Sequence, residues 1–157
     1  MRIIEGNYSQ TLEIYDSLTE QEKLWVAPRG RSADFPLCLW RLIAVNDSMV
    51  PVGFLDVYAY RMYESKSKKD EGLISLAIKK EYRGRGIAKQ LLQNVFNKAK
   101  DYSLKNEKDF ILLYEVDDSN KGAMKLAEHF GFSLSTEKIK NNKLFTMTFK
   151  PISELSE

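Results

Sequence analysis

The stretch Tyr82-Arg83-Gly84-Arg85-Gly86-Ile87-Ala88-Lys89-Gln90-Leu91-Leu92 constrains this chain more than any other. An apolar run, Leu73 to Ile78, precedes it. After it, Ile87, Leu91, Leu92, Val95, Phe96 and Ala99 repeat at helical spacing. The pattern reads as a strand, a turn rich in Gly and Arg, and a helix from about Gly84 to Tyr102. The first turn of a helix carries backbone N–H groups with no carbonyl one turn earlier to accept them, and the helix dipole adds positive character there. A turn of this composition is suited to a phosphate or pyrophosphate.

Length and composition narrow the class. A chain of 157 residues, 43% apolar and 29% charged, suits one soluble domain with its own core, residues 1–157. No apolar run approaches the ~18 residues that cross a bilayer. The start, Met1-Arg2-Ile3-Ile4-Glu5, turns polar too early for a secretory signal. The single cysteine, Cys38, excludes an internal disulfide and fits a reducing, cytoplasmic setting. Within Leu37-Cys38-Leu39-Trp40 it reads as a buried small hydrophobe. The single histidine, His129, leaves no set of His and Cys ligands for a metal. It falls just before Gly131 on the polar side of a helix, where a cation or a solvated ring fits.

The net charge of +2 is uneven: residues 1–60 sum to −3, residues 61–108 to +7 and residues 109–157 to −2. The basic middle coincides with the glycine turn. An anionic cofactor accounts for that better than nucleic acid, because the excess belongs to one segment. Asp34 and Asp56, in the acidic first segment, are candidates to attract a cationic acceptor or simply to line a solvated face.

The remaining elements follow from periodicity and turn chemistry. Arg2 to Ile4 reads as a strand. Ser9 to Leu18 and Glu20 to Trp25 read as helices, with Thr19 as a cap between them. Leu37 to Val45 and Val52 to Tyr60 form a strand pair joined through Asn46-Asp47-Ser48. The polar stretch Tyr63 to Asp70 is a connecting loop. Phe110 to Val116 is a buried strand. Ser119 or Asn120 caps a helix carrying Ala123, Leu126, Ala127 and Phe130 on one face, and Gly131 stops it. Phe132 to Ile139 and Lys143 to Lys150 are closing strands, and the tail after Pro151 is loosely held. The expected fold class is α/β: a mixed, mostly antiparallel sheet of about six to seven strands with helices on both faces.

Three glycine-turn motifs compete for the turn. The P-loop string G-x-x-x-x-G-K-[ST] does not occur. A dinucleotide fingerprint would use Gly84 and Gly86, but its third glycine is Lys89, which keeps helix from strand. The pattern Arg/Gln-x-x-Gly-x-Gly/Ala is met by Arg83, Gly86 and Ala88. Small residues there let backbone amides approach a pyrophosphate, and Arg83 and Arg85 add charge.

The run Leu76-Ala77-Ile78-Lys79-Lys80-Glu81-Tyr82-Arg83-Gly84-Arg85-Gly86-Ile87-Ala88 resembles motif A of the GNAT superfamily of acyl-CoA-dependent N-acetyltransferases. Glu115-Val116-Asp117-Asp118-Ser119-Asn120, followed by Ala123, Leu126 and Gly131-Phe132, resembles motif B. The likeness covers roughly residues 73–133, and the flanks agree by element order. It implies the GNAT fold, acetyl-CoA as cofactor and an amine acceptor, a small molecule or a protein, with no nucleic acid, membrane or metal involved and a monomer or homodimer as the working form. By the same resemblance, Arg83, Gly84, Arg85, Gly86, Ile87, Ala88 and Lys89 form the pyrophosphate turn. The backbone of Leu76, Ala77 and Ile78 pairs with the pantetheine arm like an added strand. Asn120 bonds near the cofactor arm or caps its helix.

Acyl transfer to an amine needs proton removal, a polarised carbonyl, alignment and departure of the thiolate. Glu115, at the end of a buried strand, resembles the base of the ribosomal-protein N-terminal acetyltransferase branch. Glu71 is the second candidate base. The family often has a tyrosine seven residues after Asn120 to protonate the thiolate, whereas this chain has Ala127. Tyr114 adjoins Glu115 but is expected on the opposite face of its strand, and Tyr58 or Tyr60, on a neighbouring strand, is a candidate to reach the site. Ala127 keeps open a second reading, a catalytically weak or inactive acyl-CoA-binding GNAT-fold protein that senses or scaffolds.

Overall fold

The computed structural model describes residues 1–26, 37–61 and 68–151. In chain order the elements are β1 (Arg2–Glu5), α1 (Tyr8–Asp16), α2 (Glu20–Leu24), β2 (Cys38–Val45), β3 (Pro51–Arg61), β4 (Lys69–Ile78), a 3₁₀ turn (Lys80–Tyr82), α3 (Ile87–Asn106), β5 (Asp109–Asp117), α4 (Lys121–His129), β6 (Ser133–Ile139) and β7 (Asn142–Phe149). The strands form a seven-stranded sheet in the order β1-β2-β3-β4-β5-β7-β6. β4 pairs parallel with β5, while β1 with β2, β2 with β3, β5 with β7 and β6 with β7 run antiparallel. The chain divides into two compact units, one of residues 1–58 and 74–95, the other of residues 59–73 and 96–157. Asp34 and the loop residues 63–67, as well as the tail after Pro151, lie outside the described residues.

In the first unit, alternation along β2 and β3 sorts the core onto two faces. Ile43, Val45 and Phe54 join Ile14 and Leu18 from the α1 side in one buried cluster. On the opposite face, Gly53 permits close approach from β4 and α3: a Cβ there would lie 2.6 Å from Ile78 Cδ1 and 3.4 Å from Ile87 Cγ2. Both short helices start on capping boxes, which satisfy otherwise orphaned N–H groups. Asn7 Oδ1 accepts from Gln10 N (3.0 Å) while Gln10 Oε1 accepts from Asn7 N (2.9 Å). Thr19 and Glu22 repeat the arrangement at 3.1 and 2.9 Å.

Asp56 corrects the reading of the acidic segment as a solvated face or a lure for cations. It lies on the α1 face of β3 with 0% exposure. Its Oδ1 accepts from Thr11 Oγ1 (3.2 Å), and its Oδ2 accepts from Arg41 Nε (3.1 Å) and Tyr58 OH (3.0 Å). Arg41 also donates to Tyr58 OH (3.2 Å) and stands 5.4 Å from the Tyr8 ring. Burial is the largest influence on the Arg41 guanidinium and acts to lower its pKa, but Asp56, with Cys38 and Tyr58, raises it on balance. Cys38 is half-buried, not buried, and its thiol donates to Trp40 O at 3.3 Å.

In the second unit, the parallel register of β4 with β5 runs from Lys69↔Asp109 to Leu73↔Leu113. β4 therefore starts four residues before the apolar run that marked it in the sequence. Asp70 looked like a loop residue because it is charged, yet it is buried, as is Glu71 beside it at the start of the strand. Asp70 accepts from Tyr102 OH (2.6 Å) and Lys108 Nζ (3.4 Å), which removes the penalty of an unpaired buried carboxylate. Helix α3 extends one turn beyond Tyr102 for a related reason. Ser103 is buried, and its hydroxyl donates to Lys108 O (2.6 Å) and Phe149 O (3.0 Å). Phe96 gathers Phe130, Phe132 and Phe149 at centroid distances of 5.8, 6.0 and 5.9 Å.

Asp56→Ala leaves the Arg41 charge beneath α1 without its counter-ion, and we expect it to destabilise the fold by about 3–5 kcal/mol. Urea denaturation at neutral pH measures this. A loss under about 1 kcal/mol would mean that water already reaches and screens the pair.

Candidate active site

The site is built first on the end of β4. Leu76, Ala77 and Ile78 are its last, half-buried residues, and Lys79 N closes the strand by donating to Val52 O (2.8 Å). The 3₁₀ turn follows, with Tyr82 N donating to Lys79 O (2.9 Å) and Arg83 N to Lys80 O (3.3 Å). Gly84 and Gly86 then adopt φ 77° and 78°, the left-handed region where a Cβ is disfavoured. These angles are why α3 begins at Ile87 and not at Gly84. The space over both glycines is open, with no atom within 4 Å of a Cβ placed there. The first i to i−4 bond at the helix entry runs from Gln90 N to Gly86 O (3.2 Å). The N–H groups of Ile87, Ala88 and Lys89 precede it, so the N-terminus of a 20-residue helix presents amides beside the open side of the turn.

Side chains brace this turn from behind. Arg83 Nε donates to Ile78 O (2.9 Å) and Arg83 Nη1 pairs with Glu22 Oε2 (2.6 Å). Lys79 Nζ reaches Glu13 Oε2 (3.3 Å), and Asn46 Nδ2 donates to Tyr82 OH (3.1 Å). The Arg85 guanidinium stands 5.0 Å from the Tyr82 ring centroid. Arg83, expected from the sequence as added charge for phosphate, thus has two of its nitrogens engaged by the chain, while Arg85 and Lys89 are exposed. Glu22 and Glu13 were missed in the sequence. The Thr19-x-x-Glu22 capping box was visible, but nothing local in the sequence points from Glu22 to Arg83.

The second unit carries the other candidates. Glu115 is half-buried near the end of β5, and its Oε2 accepts from Asn142 Nδ2 at 2.8 Å. Glu71 lies in β4 opposite Ile111 with 6% exposure. Asn120, and not Ser119, caps α4: its Oδ1 accepts from Ala123 N (3.2 Å). Ala127 is fully buried in α4, and Tyr114 is buried, with desolvation pushing its hydroxyl pKa upward. Tyr58 belongs to the Asp56 cluster of the first unit, and Tyr60 is exposed. Among the described residues no group of three or more His, Cys, Asp or Glu is placed to hold a metal, and no helix is long and apolar enough to cross a membrane.

The Glu22 carboxyl sits below its ordinary pKa, first because the Thr19 N–H stabilises its charge; partial burial opposes this, and Arg83 adds to the lowering. A depressed folded-state value stabilises the fold above the unfolded value, roughly 4.3, and that stability disappears as pH falls through the folded one. Glutamine preserves the capping geometry without the charge. Glu22→Gln should therefore be less stable than the parent chain at pH 7, with the gap shrinking as pH falls below about 4.3, read by urea denaturation across pH. A gap that does not shrink on acidification would show that the charge is not what acts.

Comparison with known proteins fits this geometry. The family model described as acetyltransferase (GNAT) family matches residues 8–132. No curated protein matches the sequence. The chain is similar in structure to the GNAT domain of S. lividans PAT (TM-score 0.73, 13% identity, 94% of this chain and 90% of that one). It is also similar to an acetyltransferase of GNAT family from Staphylococcus aureus MU50 (TM-score 0.67, 18% identity, 95% and 99%). A third likeness is to ribosomal-protein-alanine N-acetyltransferase from Brucella melitensis (TM-score 0.64, 17% identity, 94% and 98%). At these identities the structural likenesses speak to fold, and the family match, spanning most of the chain, settles membership: this chain belongs to the GNAT acetyltransferase family.

Proposed function

We propose that the chain is an acyl-CoA-dependent N-acetyltransferase that moves the acetyl group of acetyl-CoA to a primary amine by direct attack in a ternary complex, with residues 1–157 acting as one catalytic domain. The observation that carries this reading is the turn between β4 and α3. Two left-handed glycines open onto space, and the first amides of α3 stand next to them. That arrangement suits the linked phosphates of coenzyme A, a dianion that binds through N–H groups. Arg83, Gly84, Arg85, Gly86, Ile87, Ala88 and Lys89 would hold the pyrophosphate. The backbone of Leu76 to Ile78 would align the pantetheine arm, and Asn120 would donate its amide N–H to that arm while its oxygen caps α4.

The bound thioester supplies the acyl group and a thiolate leaving group. Glu115 takes the proton from the amine, with Glu71 as the alternative base. Holding the thioester by its phosphates and arm limits its orientations, and positioning of this kind accounts for much of the rate of an acyl transfer. The acceptor is a primary amine on a small molecule or a protein. The ribosomal-protein alanine acetyltransferase among the similar structures supports the protein arm of that class.

Acetyl-CoA should raise the melting temperature of the chain, by an amount that grows with ligand concentration. Gly86→Leu forces a side chain into the left-handed region and over the open side of the turn. It should weaken acetyl-CoA binding at least tenfold by calorimetry, and unchanged affinity would remove the phosphate assignment. With a panel of amines, free-thiol release should identify an acceptor, and Glu115→Gln should lower kcat by about 10²–10⁴-fold with little change in the acetyl-CoA KM. A flat response to Glu115→Gln moves that role elsewhere, to Glu71 or to a water chain. Stabilisation by acetyl-CoA with no thiol release for any amine would favour the binding-only reading to which Ala127 points.

A further inference from the structure

No sequence motif marks Asn142, yet its side chain holds the carboxylate assigned above as the base. We infer that Asn142 is a positioning residue for Glu115; this rests on the proposed role of Glu115. Asn142 opens β7 directly after the two-residue turn Lys140–Asn141, where Lys140 adopts φ 48°. Its side chain is shielded, with 8% exposure for the residue. Its Nδ2 donates to Glu115 Oε2 at 2.8 Å, and the amide orientation is fixed by chemistry, since an ionised carboxylate only accepts.

The hairpin tip is itself held at that end of β5. Asn141 O accepts from Asp118 N (2.9 Å), and Lys143 Nζ pairs with Asp118 Oδ1 (3.3 Å). Three consecutive residues, 141, 142 and 143, thus grip the strand end that carries Glu115 and leads into the Asn120 cap. In register, Asn142 stands opposite Asp117 and Leu144 opposite Glu115. The Asn142 side chain therefore reaches diagonally across the ladder to the carboxylate two residues back.

Among the described residues, the charged groups at this end of the unit include Asp117, Asp118, Lys121, Lys143 and the exposed Lys140 of the turn. Asp117 follows Glu115 on the same side of β5, and its Oδ1 accepts from Ser119 N (2.9 Å) and Ser119 Oγ (2.6 Å). Asp118 is paired with Lys143 from β7, and Lys121 opens α4 in an exposed position. Against that background the Asn142 amide is a neutral, directional donor. It fixes the rotamer of the Glu115 carboxylate, and so the direction in which its oxygens face.

Asn142→Ala should lower kcat about tenfold or more while the acetyl-CoA KM stays within twofold. Asn142→Asp, which removes the donor and places a second carboxylate beside Glu115, should lose at least as much kcat. Asn142→Gln, which keeps the donor, should recover part of kcat. In the double variant Asn142→Ala with Glu115→Gln, the loss should equal that of Glu115→Gln alone, since the amide acts only through the carboxylate. An unchanged kcat in Asn142→Ala, or additive losses, would overturn the positioning role and leave Asn142 a hairpin residue. If Glu115→Gln retains full activity, the base assignment itself fails, a result distinct from an inert Asn142→Ala in an enzyme that still needs Glu115. Melting temperatures of each variant with and without acetyl-CoA separate these outcomes from misfolding.

Discussion

The reversal from β4 into α3 is the constraint on which the functional half of this structure depends. A strand that ends against a long helix must leave the first helical amides without intrahelical acceptors. Here two glycines at positive φ turn the chain so that those amides border open space. The turn is held by contacts on its other side. Glu22 and the Ile78 carbonyl fix Arg83, Glu13 fixes Lys79, and Asn46 fixes the Tyr82 hydroxyl. Glu13 lies in α1 beside the buried Ile14, and Asn46 follows Val45 of β2, so two of the braces are anchored next to the first unit's core. Preorganisation of this kind removes the ordering cost that a flexible loop would bear on binding an anion.

Buried charge is the second theme, and the two units handle it alike. Asp56 and Asp70 are both nearly inaccessible, and each is matched by a cation and a tyrosine hydroxyl: Arg41 with Tyr58, and Lys108 with Tyr102. Such clusters add little net stability over apolar packing, but losing one member is costly because the others are left in low dielectric. They tie α1 to β3 in one unit and α3 to β4 in the other through directional bonds, which apolar contacts alone do not supply.

The elements whose chemistry is local were legible in the sequence. The Thr19 cap, the Asn120 cap, the stop at Gly131 and the β2–β3 pair all follow from short-range rules, and the structure has them. The turn at Gly84 and Gly86 was visible because left-handed geometry selects glycine. What escaped was charge placed where hydropathy forbids it. Asp70 looked like loop and is strand, and Asp56 looked like surface and is core, because the partners they meet, Tyr102 and Lys108 for one and Arg41 for the other, are distant in sequence. The same limit hid Glu22 behind Arg83 and Asn142 behind Glu115. A one-dimensional pattern reports what a residue prefers, and these residues are placed by what they meet.

Ala127 bears on how the proposed reaction ends. Position 127 is fully buried within α4, so the chain offers packing there where many relatives of the motif offer a phenol. Of the tyrosines considered for that role, Tyr58 is bound to Asp56 and Arg41, and Tyr114 is buried with its hydroxyl pKa driven up by desolvation. A phenol held in its neutral form without contact with solvent is a poor relay, since it must be reprotonated after every turnover. A thiolate needs less help: an ordinary thiol has a pKa near 8.5, so its conjugate base departs at neutral pH without a strong acid. The burden of catalysis under this scheme therefore falls on removing the amine proton, whose unperturbed pKa lies about two units higher, and on holding the reactants in line. That ordering makes Glu115 and whatever fixes its carboxylate more consequential than an acid at position 127.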